Sequence, residues 1–227
     1  LAKKPTGLNQ KFAPHRLGGS RRKTMQQRTK TMNSKTLTQM ALLTAIILLM
    51  AFTPIGYLRV GVGVEITFIM IPVVVGAILI GPGAGAVLGG MFGLTSFIQC
   101  FGMSGLGAML LQVSWFRTMI LCFVPRILMG WLSGVIFKAL YKIDKTKLVS
   151  FAVGSASGAI LNTIFFVSAF GLLFYNTALG MAADGGVSVM GFLLSFVTLN
   201  SVLECAACLV LGTAITKALY KNFGKKE

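Results

Sequence analysis

Of the chain's 227 residues, 55% are apolar and only 11% are charged, and the mean hydropathy is +0.82. A soluble domain carries about 25% charged residues, so this composition excludes one; it describes a membrane-embedded helical bundle with no room for a second large domain. The net charge of +16 is uneven, because ten of the 21 basic residues precede residue 36 and no acid does.

Residues 1–35, rich in Lys, Arg, Gln, Thr, Pro and Gly, cannot bury a core and read as a disordered basic tail. Beside a membrane body such a tail is expected to lie against lipid on the cytoplasmic side. Nucleic acid is not an expected partner, since no folded basic module accompanies the tail. The tail has no apolar h-region and no small-residue cleavage site, so a secretory signal is not expected in it. Met32 is the expected natural start.

Six hydrophobic spans follow, at about 36–56, 66–80, 84–101, 115–138, 149–175 and 189–219. Span one ends near Pro54-Ile-Gly56. Span two is short, with Pro72 a candidate break, and Gly81-Pro82-Gly83 predicts a tight turn before span three. The tail, the 138–148 connection (Lys138, Lys142, Lys145, Lys147) and the C-terminus (Lys217, Lys221, Lys225, Lys226) are basic. The connections at 57–65, 102–114 and 176–188 carry only Arg59, Glu65 and Asp184. The expectation is an all-α bundle of six transmembrane helices spanning 36–220, with both termini and the 221–227 tail cytoplasmic. Tyr57 and Trp115 then fall at the outer interface, Tyr141 and Tyr220 at the inner one.

Small residues mark where helices touch. Gly81, Gly85, Gly89 and Gly93 recur every four residues along span three, Gly130 and Gly134 lie in span four, and Gly154 and Gly158 open span five. Such ridges let backbones approach closely in lipid. Ala41-Leu-Leu-Thr-Ala45 cuts a small notch into the bulky span one, which suits either ordinary packing or a docking partner helix. The cysteines, Cys100, Cys122, Cys205 and Cys208, all fall in spans and read as small apolar packing residues.

Polar side chains inside the spans are few: Gln99, Arg126, Asn162, Asn200 and Glu204. A cation in lipid costs at least about 2.5–3.5 kcal/mol, so Arg126 needs a counter-charge, water or a ligand. Pro125 beside it has no N–H to donate and frees the carbonyl of Leu121. Arg126, Asn162 and Asn200 fall at comparable depth, with Glu204 one turn beyond Asn200 on the same face. Two readings stand: an Arg126–Glu204 ion pair with asparagine glue, or a polar substrate pocket open to the outside. Gln99, Trp115 and Arg59 complete the candidate substrate-binding set. There is no phosphate-binding loop for ATP. The spans carry no histidine and no aspartate, which speaks against a protease, a redox enzyme or a carboxylate-relay pump. No enzyme activity, metal or cofactor is expected.

Several stretches, in order, resemble the substrate-binding S components of energy-coupling factor (ECF) vitamin transporters. They are Ala41–Ala45, Ile71-Pro-Val-Val-Val-Gly-Ala-Ile-Leu-Ile-Gly-Pro82, Phe92-Gly-Leu-Thr-Ser96, Cys122-Phe-Val-Pro-Arg-Ile-Leu128, Gly158-Ala-Ile-Leu-Asn-Thr163 and Asn200-x-x-x-Glu204. The resemblance implies a six-helix subunit of the bacterial plasma membrane that binds a vitamin from outside. It would dock through Ala41 and Ala45 on a transmembrane coupling subunit carrying two cytoplasmic ATPases, and tilt in the bilayer as these cycle. The wording is most similar to the pantothenate type, whose carboxylate would meet Arg126; riboflavin or folate types are alternatives within the family. The tail through Thr31 has no counterpart in the family pattern, and Gly102–Ser114 departs from the pantothenate type. Outside the family, a structural or accessory membrane protein and an ATPase-independent facilitator remain as alternatives.

Overall fold

The fold is organised around a ten-residue helix with no exposed residue, Met70–Leu79. The computed structural model describes residues 34–53, 56–59, 65–144 and 146–223, of which those from Ser34 onward form one compact unit. In chain order the elements are α1 (Ser34–Ala51), β1 (Tyr57–Arg59), β2 (Glu65–Thr67), α2 (Met70–Leu79), α3 (Pro82–Gln99), α4 (Gly105–Val113), α5 (Trp115–Ile143), α6 (Leu148–Leu173), α7 (Tyr175–Asp184), α8 (Val189–Ala207), a π-helical segment (Cys208–Gly212) and α9 (Thr213–Phe223).

α1, α5, α6 and the stretch Ser201–Lys221 are long and apolar enough to cross a membrane. α3 matches α1 in length but is glycine-rich, and α2, at about 15 Å, is too short to span a bilayer alone. Bulky residues such as Leu42, Leu49, Trp131, Leu172 and Val202 are exposed around the bundle, as a lipid-facing surface requires. The protein is a membrane protein.

The structure corrects the expected span two. Its first residues are extended, and β2 pairs antiparallel with β1 in the register Tyr57↔Thr67, Leu58↔Ile66 and Arg59↔Glu65. The helical bundle therefore carries one small hairpin between α1 and α2. Pro72 does not break the helix, because it lies in the first turn of α2, where an N–H has no intrahelical partner to lose. The connections also hold two short helices, α4 and α7, that hydropathy did not separate. Pro54 and Ile55, the expected end of span one, lie outside the described residues.

Gly81 turns the chain with φ 130°, a conformation that suits only glycine, and Pro82 starts α3 at a position that needs no donor. From there the glycine ladder packs on α5. A Cβ at Gly85 would run into the Gly130 carbonyl, one at Gly89 into the Arg126 carbonyl, and one at Gly93 would stand 2.8 Å from the Cys122 carbonyl. The paired positions descend by four on α5 as they climb by four on α3, so the helices are antiparallel and nearly in backbone contact. Gly158 of α6 faces Val74 of α2.

Two apolar clusters hold the rest. One surrounds α2, with Ile47, Leu88, Phe92, Met129, Ala159 and Cys208. The other lies towards α4 and α7, with Leu110, Leu121, Phe170, Phe174 and Ala178. Phe137, Tyr141, Phe151 and Tyr220 pack tilted or edge-on with centroids 5.2–6.2 Å apart, joining α5, α6 and α9. The α5–α6 turn and α9 thus share one end of the bundle. Gln99 donates to the Ala51 carbonyl at 2.6 Å, so α1 and α3 finish together and α1 begins at that same end.

Candidate functional site

Pro125 sits inside α5 and leaves the Leu121 carbonyl without its amide partner. Arg126 supplies the missing donor: its Nη1 donates to that oxygen at 2.8 Å. The guanidinium carbon lies 4.9 Å from the ring centroid of Phe166 on α6 and 5.5 Å from that of Phe92 on α3. Such cation–π contacts contribute about 0.5–2 kcal/mol, more when water is excluded. Its Nε is buried with no hydrogen-bond partner.

Asn162 precedes Phe166 by one turn on α6, so the two share a face. It is 9% exposed, and its Oδ1 has no partner. Arg126 and Asn162, expected in one polar layer, thus each keep an unused hydrogen-bonding atom.

Glu204 on α8 points elsewhere. It is buried, and its Oε1 accepts the backbone N–H of Thr67 at 2.8 Å, holding the hairpin against α8. Among the described residues no carboxylate lies within ion-pairing distance of Arg126, so the Arg126–Glu204 pair is not formed. Three residues before Glu204, Ser201 shares a 2.7 Å hydroxyl contact with Thr163, which fastens α8 to α6 next to Asn162.

The remaining candidates are spread out. Gln99 is buried, with its amide nitrogen committed to Ala51. Trp115 is 64% exposed at the start of α5, edge-on to Phe116, and about 16 Å of helix rise from Arg126. Arg59 is paired through its backbone with Glu65, but its side chain and that of Asn200 lie outside the described residues. Ala41 and Ala45 are both exposed on α1, on a surface shared with Leu37, Leu42 and Leu49.

Sequence reasoning missed Phe92, Phe166 and Thr67. Phe166 was findable as the next turn after Asn162, and Phe92 as the bulky neighbour of the Gly89–Gly93 rung. Thr67 carried no signal, because its role depends on a hairpin that hydropathy hid. Among the described residues no group of three or more His, Cys, Asp or Glu side chains could hold a metal.

A membrane bundle whose buried arginine has no ion-pair partner among the described residues, and whose asparagine keeps a free acceptor one turn from a ring that this arginine covers, has the character of a solute-handling protein. Residues 35–216 match the family described as "ECF transporter, substrate-specific component", and the chain belongs to that family. A relative from Leuconostoc mesenteroides, "Pantothenate transporter PanT", is 29% identical over 182 residues, covering 77% of this chain and 87% of that protein.

Proposed function

We propose that the chain captures pantothenate from outside the bacterial plasma membrane and delivers it through an ECF-type importer. The observation that carries this reading is the state of Arg126: oriented by Leu121, flanked by two aromatic rings, and lacking a carboxylate partner among the described residues. A ligand carboxylate supplies the counter-charge, with Nε as one donor towards it. Oδ1 of Asn162 accepts from a ligand hydroxyl or amide N–H. Pantothenate has all of these groups, and the likeness to the pantothenate transporter of Leuconostoc supports the choice. Asn200, Gln99, Trp115 and Arg59 are proposed as further contacts on the ligand's path or around it.

In this reading α1, α2 together with the hairpin before it, α3, α5, α6 and α8–α9 are the six membrane passages. Both termini lie in the cytoplasm with the basic α5–α6 turn, and residues 1–35 form a basic tail there. The chain has no nucleotide-binding loop, so energy comes from two ATPases through a transmembrane coupling subunit. The exposed Ala41–Ala45 notch on α1 is the proposed seat for that subunit.

The test is a titration of the purified protein with a panel of vitamins. Pantothenate is expected to bind at micromolar or tighter affinity. Binding of riboflavin or folate instead would change the substrate, and no binding across the panel would reject the capture role.

A further inference from the structure

Cys100 and Cys122 take no part in the contacts proposed for the ligand. Cys100 ends α3, Cys122 lies in the second turn of α5, and both are buried with their Sγ atoms 3.9 Å apart. The chain between them carries α4, and Gly107 of α4 rests on Cys100, where a Cβ would come 2.7 Å from its sulfur. Phe101, the next residue, is 68% exposed, so the pair lies just beneath the surface of this end of the bundle. The third rung of the glycine ladder, Gly93 on the Cys122 carbonyl, keeps α3 and α5 close here.

We propose that Cys100 and Cys122 are a modification site: a dithiol that an oxidant converts, in the folded protein, to a disulfide clamping α3 to α5 beneath α4. A disulfide bond is about 2.05 Å long, so the sulfurs must approach by about 1.9 Å to form it. With a diazenedicarboxamide oxidant such as diamide, both S–H bonds break and one S–S bond forms. The two hydrogens and their electrons pass to the N=N bond, which becomes a hydrazine. This end of the bundle lies opposite the basic α5–α6 turn. In the orientation proposed above, on which only this point rests, it faces the outside, where disulfides persist.

The experiment treats the full chain, purified in detergent, with diamide and records intact mass and a non-reducing peptide map. The expected result is loss of two hydrogens, a cross-linked peptide joining Cys100 to Cys122, and reversal of both by dithiothreitol. An unchanged mass, a link confined to Cys205 and Cys208, or a link between two chains overturns the proposal. The map uses the native sequence, so no variant has to fold. It also needs no vitamin, so failure of the cross-link and failure of the pantothenate titration can be told apart.

Discussion

Nη1 of Arg126 donates to the carbonyl oxygen of Leu121 at 2.8 Å, and that oxygen is the one Pro125 deprives of an amide. Two costly features of a membrane helix, an unpaired carbonyl and a cation, therefore offset one another within a single turn. The match is incomplete, since Nε remains without a partner. What is left over faces α6 and α3 through Phe166 and Phe92.

If Arg126 meets a ligand carboxylate, Arg126→Met should weaken pantothenate binding by about 10- to 100-fold, the range of a lost hydrogen bond to a charged group. The variant should also melt somewhat lower, because the Leu121 carbonyl loses its donor, so its affinity is read well below that midpoint. Arg59→Ala should cost less; equal losses in a titration of both variants would count against this role. Pro125→Ala restores an amide that competes for Leu121, so affinity should fall while the melting temperature holds or rises. Unchanged affinity would mean that Leu121 does not orient the guanidinium.

Glu204 makes a different prediction. Its Oε1 holds the Thr67 N–H at 2.8 Å. Glu204→Gln keeps an oxygen acceptor there, whereas Glu204→Ala leaves the amide unpaired at a cost of about 1–3 kcal/mol. Amide exchange in a peptide spanning 65–69 should stay near the native rate in the glutamine variant and accelerate roughly 5- to 100-fold in the alanine variant. Equal acceleration in both would show that the carboxylate charge, not its oxygen, restrains the hairpin.

Hydropathy located the long helices, and the four-residue glycine period marked the faces of α3 and α5 that touch without saying that they touch each other. Both signals are local, and lipid rewards them directly. The β1–β2 hairpin was illegible because short extended residues next to α2 have the same hydropathy as a helix start, and their pairing is a tertiary event. Arg126 could be singled out from its cost alone, and Leu121 from the chemistry of proline. That Glu204 would serve Thr67 was not readable from the sequence. Helical register places a side chain on a face but does not say which backbone donor will reach it.

The glycine ladder supplies an internal control. Gly89 faces the Arg126 carbonyl so closely that a Cβ cannot be accommodated without moving backbone, while a Cβ on its neighbour Gly90 would meet only the Ile127 side chain at 3.7 Å. Gly89→Ala should destabilise by about 1–3 kcal/mol through overpacking and lower pantothenate affinity by displacing Arg126. Gly90→Ala should leave both unchanged or slightly stabilise the helix. Thermal unfolding of the two purified variants decides this, and similar midpoints would refute the close α3–α5 contact at residue 89.

Asp144, outside the membrane-spanning helices, links the end of α5 to the start of α6. Its carboxylate accepts the Ser150 N–H at 2.8 Å and hydroxyl at 2.9 Å, and the Thr146 N–H at 3.0 Å and hydroxyl at 2.9 Å. These bonds, the Ser150 amide first, pull its pKa from 3.8 down to about 2. Because the folded value lies below the unfolded one, the stabilisation is present above about pH 4 and disappears as pH falls towards 2. Asp144→Asn should therefore melt lower than the native chain at pH 7, and the gap between the two should close across that acid window. The neighbouring carboxylates titrate in both proteins, so the difference between their melting curves isolates Asp144. A gap that stays constant down to pH 2 would mean that the carboxylate's charge contributes nothing to the α5–α6 turn.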